Sequence, residues 1–393
     1  MIQLESEIPR LQDHLSATVD WLKEAQDSQR DGGVSALYSL ARGWHSSYPE
    51  TTGYIIPTML NVWEALADEG CYERSVAMAQ WLLGLQYADG AFPGDRVGRS
   101  SGPSVFNTGQ ILFGLIRIYQ VTRESRYLDA AHRAGRWLVS VQDPDGAWRA
   151  SDYLGKTHTY NTRTAWPLLL LHQETQDPEL LRAGEANVRW AVTRADETGF
   201  FSHCAFDPQD NGHGYGLGAS LAAILLTRNW PAFYTKASLH AIAYAIQGLL
   251  ESAWILQDDV AEATARRAAR VLGDHVLAGK LAGWYGPGWK PEARSSCLTG
   301  VAQMCVVWLR MAERHDERAS AAADAALRFL CDSQNIRSTN PAIRGALAGS
   351  RPFYGLYHPF RYPNWAAKFW ADALLLSLAL KSQPELLSRL RVW

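Results

Sequence analysis

The chain lacks the features of a disulfide-stabilised, zinc-knotted or membrane-spanning protein. Its five cysteines are scattered, odd in number and without a CxxC pair, which argues against a disulfide framework and a standard zinc knot. No uninterrupted apolar run reaches the ~18 residues that suggest a membrane span. Residues 1–29 contain early acids and no continuous apolar core, so they do not resemble a secretory signal. We therefore expect a cytoplasmic protein without an integral membrane segment.

Neither sign of charge is in excess. The 38 basic and 40 acidic residues give a formal net charge of −2, which offers no general reason to expect a nucleic acid or an anionic membrane as partner. The 393 residues suffice for a large core, and their number allows one domain or two. The compositional outlier is the set of 16 tryptophans, since aromatic faces suit sugar rings, hydrocarbon and carbocations as well as core packing.

A short motif recurs along the chain, which is the pattern of a repeat architecture. WLKEAQDSQRDGG at Trp21, WLLGLQYADGAF at Trp81 and WLVSVQDPDGAW at Trp137 share a Trp, a Gln five residues later and an Asp-Gly pair. WAVTRADETGFF at Trp190 and FLCDSQNIRS at Phe329 keep parts of it. Apolar residues three and four apart predict a helix in each copy, and the Gln, Asp and Gly residues end it.

A polar loop and a second, more apolar helix follow each copy. Since these second helices are apolar on nearly all faces, we expect them to be buried, with the amphipathic first helices outside them. This predicts an all-α protein, a single (α/α)6 toroid of six helical hairpins over residues 1–393, with an insertion at about 205–237 that covers one mouth. The predicted inner helices are Thr51–Ala67, Asn107–Val121, Asn161–Thr175, Ser238–Ala253, Cys297–Ala312 and Trp365–Leu380.

The repeat resembles the α/α toroids of terpenoid cyclases and protein prenyltransferases, whose repeats carry a Gln, Asp-Gly and Trp signature like Gln142-Asp145-Gly146-Trp148. The segments PETTGYIIPT and LHAIAYAIQGLLE resemble uncharacterised prenyltransferase-like proteins associated with bacterial exopolysaccharide synthesis. This likeness implies the toroid fold and a place in polysaccharide biosynthesis. Toroids of the same topology also occur among uronate lyases, glycoside hydrolases and sugar epimerases, so the fold does not decide the reaction.

The motifs of the lipid-processing toroids are missing or have a simpler explanation. No DxDD acid motif is present, and Asp258 and Asp259 in QDDVAEA are expected to cap a helix. The Asp, Cys and His zinc ligands of prenyltransferases cannot be placed on Cys204 or Cys297, so we expect no metal or other cofactor. An isoprenoid substrate and a noncatalytic glycan-binding toroid stay as alternatives.

Glycoside hydrolysis requires two carboxyl groups across a sugar. The repeated acids Asp31, Asp89 and Asp145 are expected to serve turns, and no outstanding pair remains. The other loop acids are Glu50, Asp95, Asp152, Asp207, Asp210 and Glu292.

The loops that lead into the inner helices are rich in tyrosine, histidine, arginine and amide groups. In a toroid these loops meet at one mouth, where such groups suit proton abstraction at carbon 5 of a uronic acid. The segment SYPETTGYIIPTMLNVWEAL resembles the Glu-Tyr-Pro-Thr-Thr segment of glucuronyl C5-epimerases, although here the acid follows the proline, and HTYNTRTAW resembles short runs of those enzymes and of toroidal uronate lyases.

We therefore predict a carbohydrate-active enzyme that acts on an acidic oligosaccharide or polysaccharide, as a uronate C5-epimerase or a polysaccharide lyase. Glu50 can also be explained as a simple helix-start acid. The predicted catalytic residues are Tyr48, Glu50, Tyr160, Arg163, His240, Tyr244 and Tyr362. The predicted substrate-binding residues are Trp44, His158, Asn161, Trp284, Trp289, His358, Arg361 and Lys368.

Overall fold

The computed structural model describes residues 2–99, 102–204 and 236–393. The predicted insertion at about 205–237, with Asp207 and Asp210, lies outside the described residues except for its last two positions.

Twelve α-helices form within the described residues, and they alternate between an outer and an inner layer. In chain order they are α1 (Ile2–Asp27), α2 (Pro49–Leu66), α3 (Glu69–Leu83), α4 (Val105–Thr122), α5 (Ser125–Ser140), α6 (Thr162–Thr175), α7 (Pro178–Val192), α8 (Leu239–Leu256), α9 (Asp259–Leu277), α10 (Leu298–Ala312), α11 (Glu317–Cys331) and α12 (Asn364–Ser382).

The even-numbered helices form the inner ring. Each packs against the next, and α12 returns to α2, so the ring is closed. Every residue of α8 from Leu239 to Ala253 is buried, as expected for a helix apolar on nearly all faces. Each of the first five inner helices packs against the outer helix that follows it, and α12 packs against α1. The predicted inner helices are thus confirmed to within three residues at each end.

Glycines let neighbouring inner helices approach closely. A Cβ atom on Gly114 of α4 would lie 2.3 Å from the Gly53 carbonyl oxygen of α2. A Cβ atom on Gly248 of α8 would lie 2.4 Å from the Thr162 carbonyl carbon of α6. Side chains larger than a hydrogen atom at these positions would force the helices apart.

The repeat motif ties each loop to the next outer helix. Gln142 Nε2 donates to the carbonyls of Gly146 in its own loop and Ala183 in α7, both at 3.0 Å. The φ of Gly146 is +89°, which glycine adopts without strain. Near the end of the chain, Gln334 Nε2 donates over 2.8 Å to Thr18 Oγ1 of α1. A glutamine side chain therefore also joins the loop after α11, the last outer helix, to α1, the first.

The repeated aspartates serve the turns, as predicted. Asp145 Oδ1 accepts from the Ala147 backbone N–H at 3.2 Å, and Asp31 does the same for Gly33 at 2.9 Å. Asp258 caps α9 by accepting from Val260 N and Ala261 N, so its acid has the structural role expected of it.

Short strands brace the loops at the end of the ring where the inner helices begin. They are β1 (Leu37–Ser39), β2 (Gly43–Trp44), β3 (Ala237–Ser238), β4 (Trp284–Gly286), β5 (Lys290–Pro291), β6 (Ser296–Cys297), β7 (Ser350–Arg351) and β8 (Arg361–Pro363). β1 pairs antiparallel with both β2 and β8. This sheet fixes the loop before α2 against the loop before α12. The circle of loops is therefore joined at the same place where α12 packs against α2.

Among the described helices, α8 is long and apolar enough to cross a membrane by length and composition. In this fold 83% of that segment is buried inside the protein, where it serves as an inner-ring helix.

Candidate active site

A cavity of about 400 Å³ opens at the mouth where the inner helices begin. Its described lining comes from the beginnings of α2, α4, α8 and α12, from the residues just before α6, and from the loops between them. Six predicted site residues meet there: Tyr48, Glu50, Tyr160, His240, Tyr244 and His358. The lining also includes residues outside the predicted catalytic and binding sets, among them Asp95, Phe106, Asn107, Asp152, Tyr357 and Trp365.

Tyr48 and Glu50 form a hydrogen-bonded pair in the cavity wall. Tyr48 has an extended backbone and precedes α2, Pro49 is its first residue, and Glu50 lies in its first turn. The Tyr48 hydroxyl donates to Glu50 Oε2 over 2.5 Å. A carboxylate at a helix N-terminus gains roughly 0.3–1 kcal/mol from the helix dipole. Glu50 therefore serves the helix start and the cavity at once.

His240 and Tyr244 form another part of the wall. They lie four residues apart in α8, and their ring centroids are 4.3 Å apart. Burial lowers the pKa of His240 to about 3, so its imidazole is neutral at pH 7. Burial raises the pKa of Tyr244, and the charge of nearby Glu50 raises it further. The cavity thus holds a tyrosine that keeps its proton beside a histidine that carries no charge.

The orientation of His240 is fixed from behind by α10. His240 Nδ1 lies 2.5 Å from Gln303 Oε1, and both groups are buried. With the Gln303 amide oriented in this way, Nδ1 is the donor and Nε2 carries the lone pair. His240 Nε2 can therefore accept a hydrogen bond.

Asp152 organises the wall next to α6. Its carboxylate accepts from Asn161 Nδ2 at 2.6 Å and from His158 Nδ1 at 3.1 Å, as well as from the Tyr153 backbone N–H at 2.8 Å. The His158 ring stacks on Tyr160 with centroids 4.6 Å apart. The predicted binding residues His158 and Asn161 are not among the described lining residues; both hold Asp152, and His158 also stacks on Tyr160.

Several lining residues have left-handed backbone conformations that side chains other than glycine seldom adopt. The φ angles are +58° for Asp95 and Ser151, +56° for Leu154 and +46° for His358. Such conformations cost roughly 1–3 kcal/mol each and are typical of functional sites. None of these four residues ends an α-helix, so helix termination does not explain them.

Arg163 and Lys368, predicted to act on substrate, are fully buried and are not among the described lining residues. Arg163 is fully buried, and its Nη1 donates to Gln247 Oε1 over 3.0 Å. Its guanidinium lies 5.4 Å from the centroid of the Tyr244 ring. Lys368 Nζ pairs with Asp372 at 2.6 Å, again in the buried interior. Both cations can support the wall electrostatically, but neither is among the described lining residues.

The three predicted stacking tryptophans lie in packed layers outside the described cavity lining. Trp44 packs against Trp21 with centroids 5.3 Å apart. Trp289 packs against Phe200, and its Nε1 donates to the Thr198 carbonyl over 3.0 Å. Trp284 belongs to β4 and is 5% exposed.

The last two predicted residues belong to β8. Tyr362 packs against Phe353 with ring centroids 5.0 Å apart, and Arg361 pairs in register with Ser39 of β1. Neither is among the described lining residues. Trp365, in the first turn of α12, lines the cavity instead, and its Nε1 donates to the Tyr357 hydroxyl over 2.9 Å.

Within the described ranges, no group of three or more His, Cys, Asp or Glu side chains could hold a metal ion. Glu292, one of the loop acids considered for hydrolysis, pairs with Lys236 at 2.8 Å and is not among the described lining residues.

Comparisons with known proteins find structural similarity without close sequence similarity. No protein-family model matches the chain, and no curated protein sequence matches it. The chain is similar to an unsaturated glucuronyl hydrolase specific for heparin, with a TM-score of 0.72 and 14% identity over 95% of this chain and 98% of that one. It is also similar to cellobiose 2-epimerase from Bacillus thermoamylovorans, with a TM-score of 0.70 and 12% identity over 96% and 100% of the two chains.

A third similar structure is the unsaturated glucuronyl hydrolase of Bacillus sp. GL1, with a TM-score of 0.68, 16% identity and coverage of 93% and 96%. At these identities the likeness establishes architecture. The fold is an α/α toroid. The prediction of that fold from the tryptophan repeat is confirmed.

Proposed function

We propose that this toroid is an enzyme that binds a saccharide in its mouth cavity and acts on it by general acid–base chemistry. The observation that carries the proposal is the Tyr48–Glu50 pair, which shares one cavity with neutral His240 and protonated Tyr244. The volume of about 400 Å³ is in the range of small-molecule sites. The names of the similar toroids, two glucuronyl hydrolases and a cellobiose epimerase, support a sugar as substrate.

The reaction we propose is proton transfer at carbon 5 of a uronic acid unit. Glu50 takes the C5 proton, and the electron pair of the broken C–H bond delocalises into the neighbouring carboxylate group. In an epimerase, a tyrosine such as Tyr244 then gives a proton to C5 from the opposite face. In a lyase, the same electron pair forms the C4–C5 double bond and expels the oxygen substituent at C4, which takes up a proton.

Hydrolysis of a glycosidic bond is the second candidate, and the acids of the cavity favour it. Asp95 lines the cavity together with Glu50, and Asp152 contributes to the same wall. Two carboxyl groups across a sugar are the usual requirement for this reaction. Asp152 already accepts three hydrogen bonds, which suits it to positioning, so Glu50 and Asp95 are the acid–base pair for this candidate.

The other predicted alternatives receive less support from the site. An isoprenoid substrate calls for an apolar chamber, whereas the described lining carries acids, histidines and tyrosine hydroxyls. A noncatalytic glycan-binding toroid gives no reason for pairing Glu50 with a hydroxyl at 2.5 Å beside a neutral histidine. We propose that the enzyme works in the cytoplasm on a precursor or product of polysaccharide metabolism.

A panel of uronic-acid-containing and neutral oligosaccharides, incubated with the protein in deuterated water and followed by proton NMR, tests the proposal. Loss of the C5 proton signal identifies an epimerase, a new vinyl proton identifies a lyase, and a new reducing end without exchange identifies a hydrolase. Tyr244→Phe should abolish inversion at C5, because it removes the hydroxyl that gives a proton to the opposite face, while Tyr87→Phe, at an exposed outer position, should leave it unchanged. Absence of all three signals across the panel would refute the proposal.

A further inference from the structure

A second polar cluster lies beside the cavity, around His45 and Arg96. Arg96 belongs to the loop between α3 and α4 and is 7% exposed. The Val97 backbone N–H donates to the Ser47 carbonyl over 2.9 Å, which holds this loop against the residues before α2. A guanidinium N–H of Arg96 contacts His45 Nδ1. The cluster therefore directly flanks Tyr48 of the proposed active site.

Three further arginines stand around His45, and the fold accounts for their convergence. In the mouth sheet, Ser39 of β1 pairs with Arg361 of β8 on one side and with Gly43 of β2 on the other. The turn between β1 and β2 carries Arg42, whose N–H donates to the Ser39 carbonyl over 3.2 Å. Arg99 follows Arg96 in a turn, with its N–H donating to the Arg96 carbonyl over 2.9 Å.

The cluster is strongly cationic. Burial and the charges of Arg96, Arg361, Arg42 and Arg99, in decreasing order, lower the pKa of His45 to about 4. The acid nearest to Arg96 is Asp95, whose Oδ1 lies 3.6 Å from Arg96 Nε. Among the described residues, Asp95 is the acid that lies within ion-pair distance of Arg96.

Two donor nitrogens in the cluster make no hydrogen bond to the described residues. His45 Nε2 and Arg96 Nε are both buried without a hydrogen bond. Neutral His45 accepts from Arg96 at Nδ1, so its hydrogen is on Nε2. A buried donor without a hydrogen bond is destabilising, and an anionic oxygen placed here would satisfy it.

The described cavity lining offers no lysine or arginine to an acidic sugar. The lining includes Glu50, Asp95 and Asp152, and burial lowers the pKa of its His240 to about 3. A carboxylate or sulfate group would be repelled from such a lining and attracted to the flanking arginines. Arginine is the side chain best suited to hold these anions through paired hydrogen bonds.

We infer that the His45–Arg96 corner, flanked by Arg42, Arg99 and Arg361, is a subsite for an anionic substituent of the saccharide, a carboxylate or a sulfate ester. The inference rests on the proposed function, because it assumes that a sugar occupies the neighbouring cavity. For a uronic acid, C5 is bonded to the carboxylate carbon. An anion held at Arg96 therefore places C5 on the side of Tyr48 and Glu50.

Titration calorimetry with three monosaccharide probes, methyl glucuronide, glucose 6-sulfate and methyl glucoside, tests the subsite. At least one anionic probe should bind the wild type more tightly than methyl glucoside. Its affinity should fall about tenfold or more in Arg96→Gln, recover in part in Arg96→Lys, and weaken with added salt. Arg318→Gln, at an exposed outer helix, is the matched control and should bind like the wild type.

Arg96→Gln changes a buried side chain and can fail to fold. The double variant Arg42→Gln with Arg99→Gln changes only exposed side chains, so it should fold and tests the same subsite. It should also weaken binding of the anionic probe. The stronger of the two anionic probes identifies the substituent. Equal binding of all three probes to the wild type, or unchanged anion affinity in the folded variants, would overturn the inference.

The variant Glu50→Gln separates this inference from the proposed function. It should keep or strengthen the anion affinity, because Glu50 is not part of the cationic corner and its removal takes away a like charge, while turnover is lost. Anion binding that depends on Arg96, combined with full turnover in Glu50→Gln, would leave the subsite standing and refute the proposed chemistry.

Discussion

Replacing Gly248 by alanine tests how tightly the inner ring is packed. The added Cβ would lie 2.4 Å from the Thr162 carbonyl carbon, 2.5 Å from the Arg163 nitrogen and 2.6 Å from Thr162 Oγ1. The two closest atoms belong to backbone, so a rotamer change cannot relieve the contact. Since carbon atoms pack at about 3.5–4.0 Å, α8 and α6 must separate locally by about 1 Å.

The magnitude follows from two opposing terms. Alanine in place of glycine inside a helix gains roughly 1 kcal/mol in helix propensity. Overpacking of a well-filled interior costs roughly 1–3 kcal/mol, and contact with rigid backbone brings it to the upper end of that range. We therefore expect Gly248→Ala to lower the free energy of unfolding by about 1–2 kcal/mol. The displaced segment directly follows Tyr160, so turnover should fall as well.

Gly273 of α9 provides the matched control. It is also a buried helical glycine, but an added Cβ would lie 3.6 Å from Ala322 Cβ, an ordinary contact. Gly273→Ala should therefore keep the propensity gain and stabilise the protein by about 0.5–1 kcal/mol. Urea unfolding followed by circular dichroism measures both variants. If Gly248→Ala unfolds at the same or a higher urea concentration than the wild type, the close contact between α6 and α8 is wrong.

Three further predictions concern charged groups. The pKa of His240 is 6.5 in the unfolded chain and about 3 in the folded protein, so between these pH values the unfolded state binds more protons and the free energy of unfolding should fall as the pH drops. Urea titrations from pH 7 to pH 3 should show a shallower fall in His240→Gln than in the wild type. Equal slopes would contradict this. Asp152→Asn removes the charge to which His158 and Asn161 donate, so initial-rate kinetics should show a large fall in kcat while circular dichroism shows unchanged helicity. The exposed substitution Asp129→Asn is the control and should change neither kcat nor helicity. Arg149 pairs with Asp145 and lowers its pKa to about 2, but both side chains are about half exposed. Arg149→Ala should therefore lower the free energy of unfolding, measured with urea, by less than about 1 kcal/mol. A larger loss would refute the assignment of this pair as a weak surface interaction.

The sequence predicts the structure best where the same short motif recurs along the chain. Gln86 and Gln142 recur with the same spacing because each must reach a loop glycine and the next outer helix. The inner helices could be located because their apolar residues cover all faces, and α8 is the clearest case. Tyr48, Glu50, His240 and Tyr244 could be proposed for the site because they stand at inner-helix starts, which a toroid brings to one mouth.

The rest of the site depends on loop paths that no periodic pattern encodes. Asp95 reaches the cavity through a left-handed backbone conformation in the loop after α3. Arg163 occupies the first turns of an inner helix, as predicted, but its position on the helix turns it into the interior, where it contacts Gln247. Trp284 and Trp289 lie near loops in the sequence, yet β4 and the residues after it bury them in packed layers. Position along the chain predicted that these side chains lie near the mouth end of the ring, but not whether they point into the cavity.

Turnover by Glu50→Gln is the most direct test of the proposed chemistry. The measurement is the initial rate, by proton NMR in deuterated water, on whichever saccharide of the panel the wild type converts. Because general acid–base catalysis contributes roughly 10²- to 10⁴-fold, the variant should be slower by at least about a hundredfold. The exposed substitution Glu73→Gln on α3 should react at the wild-type rate. A folded Glu50→Gln protein that converts the same saccharide as fast as the wild type would contradict the proposed role of this cavity.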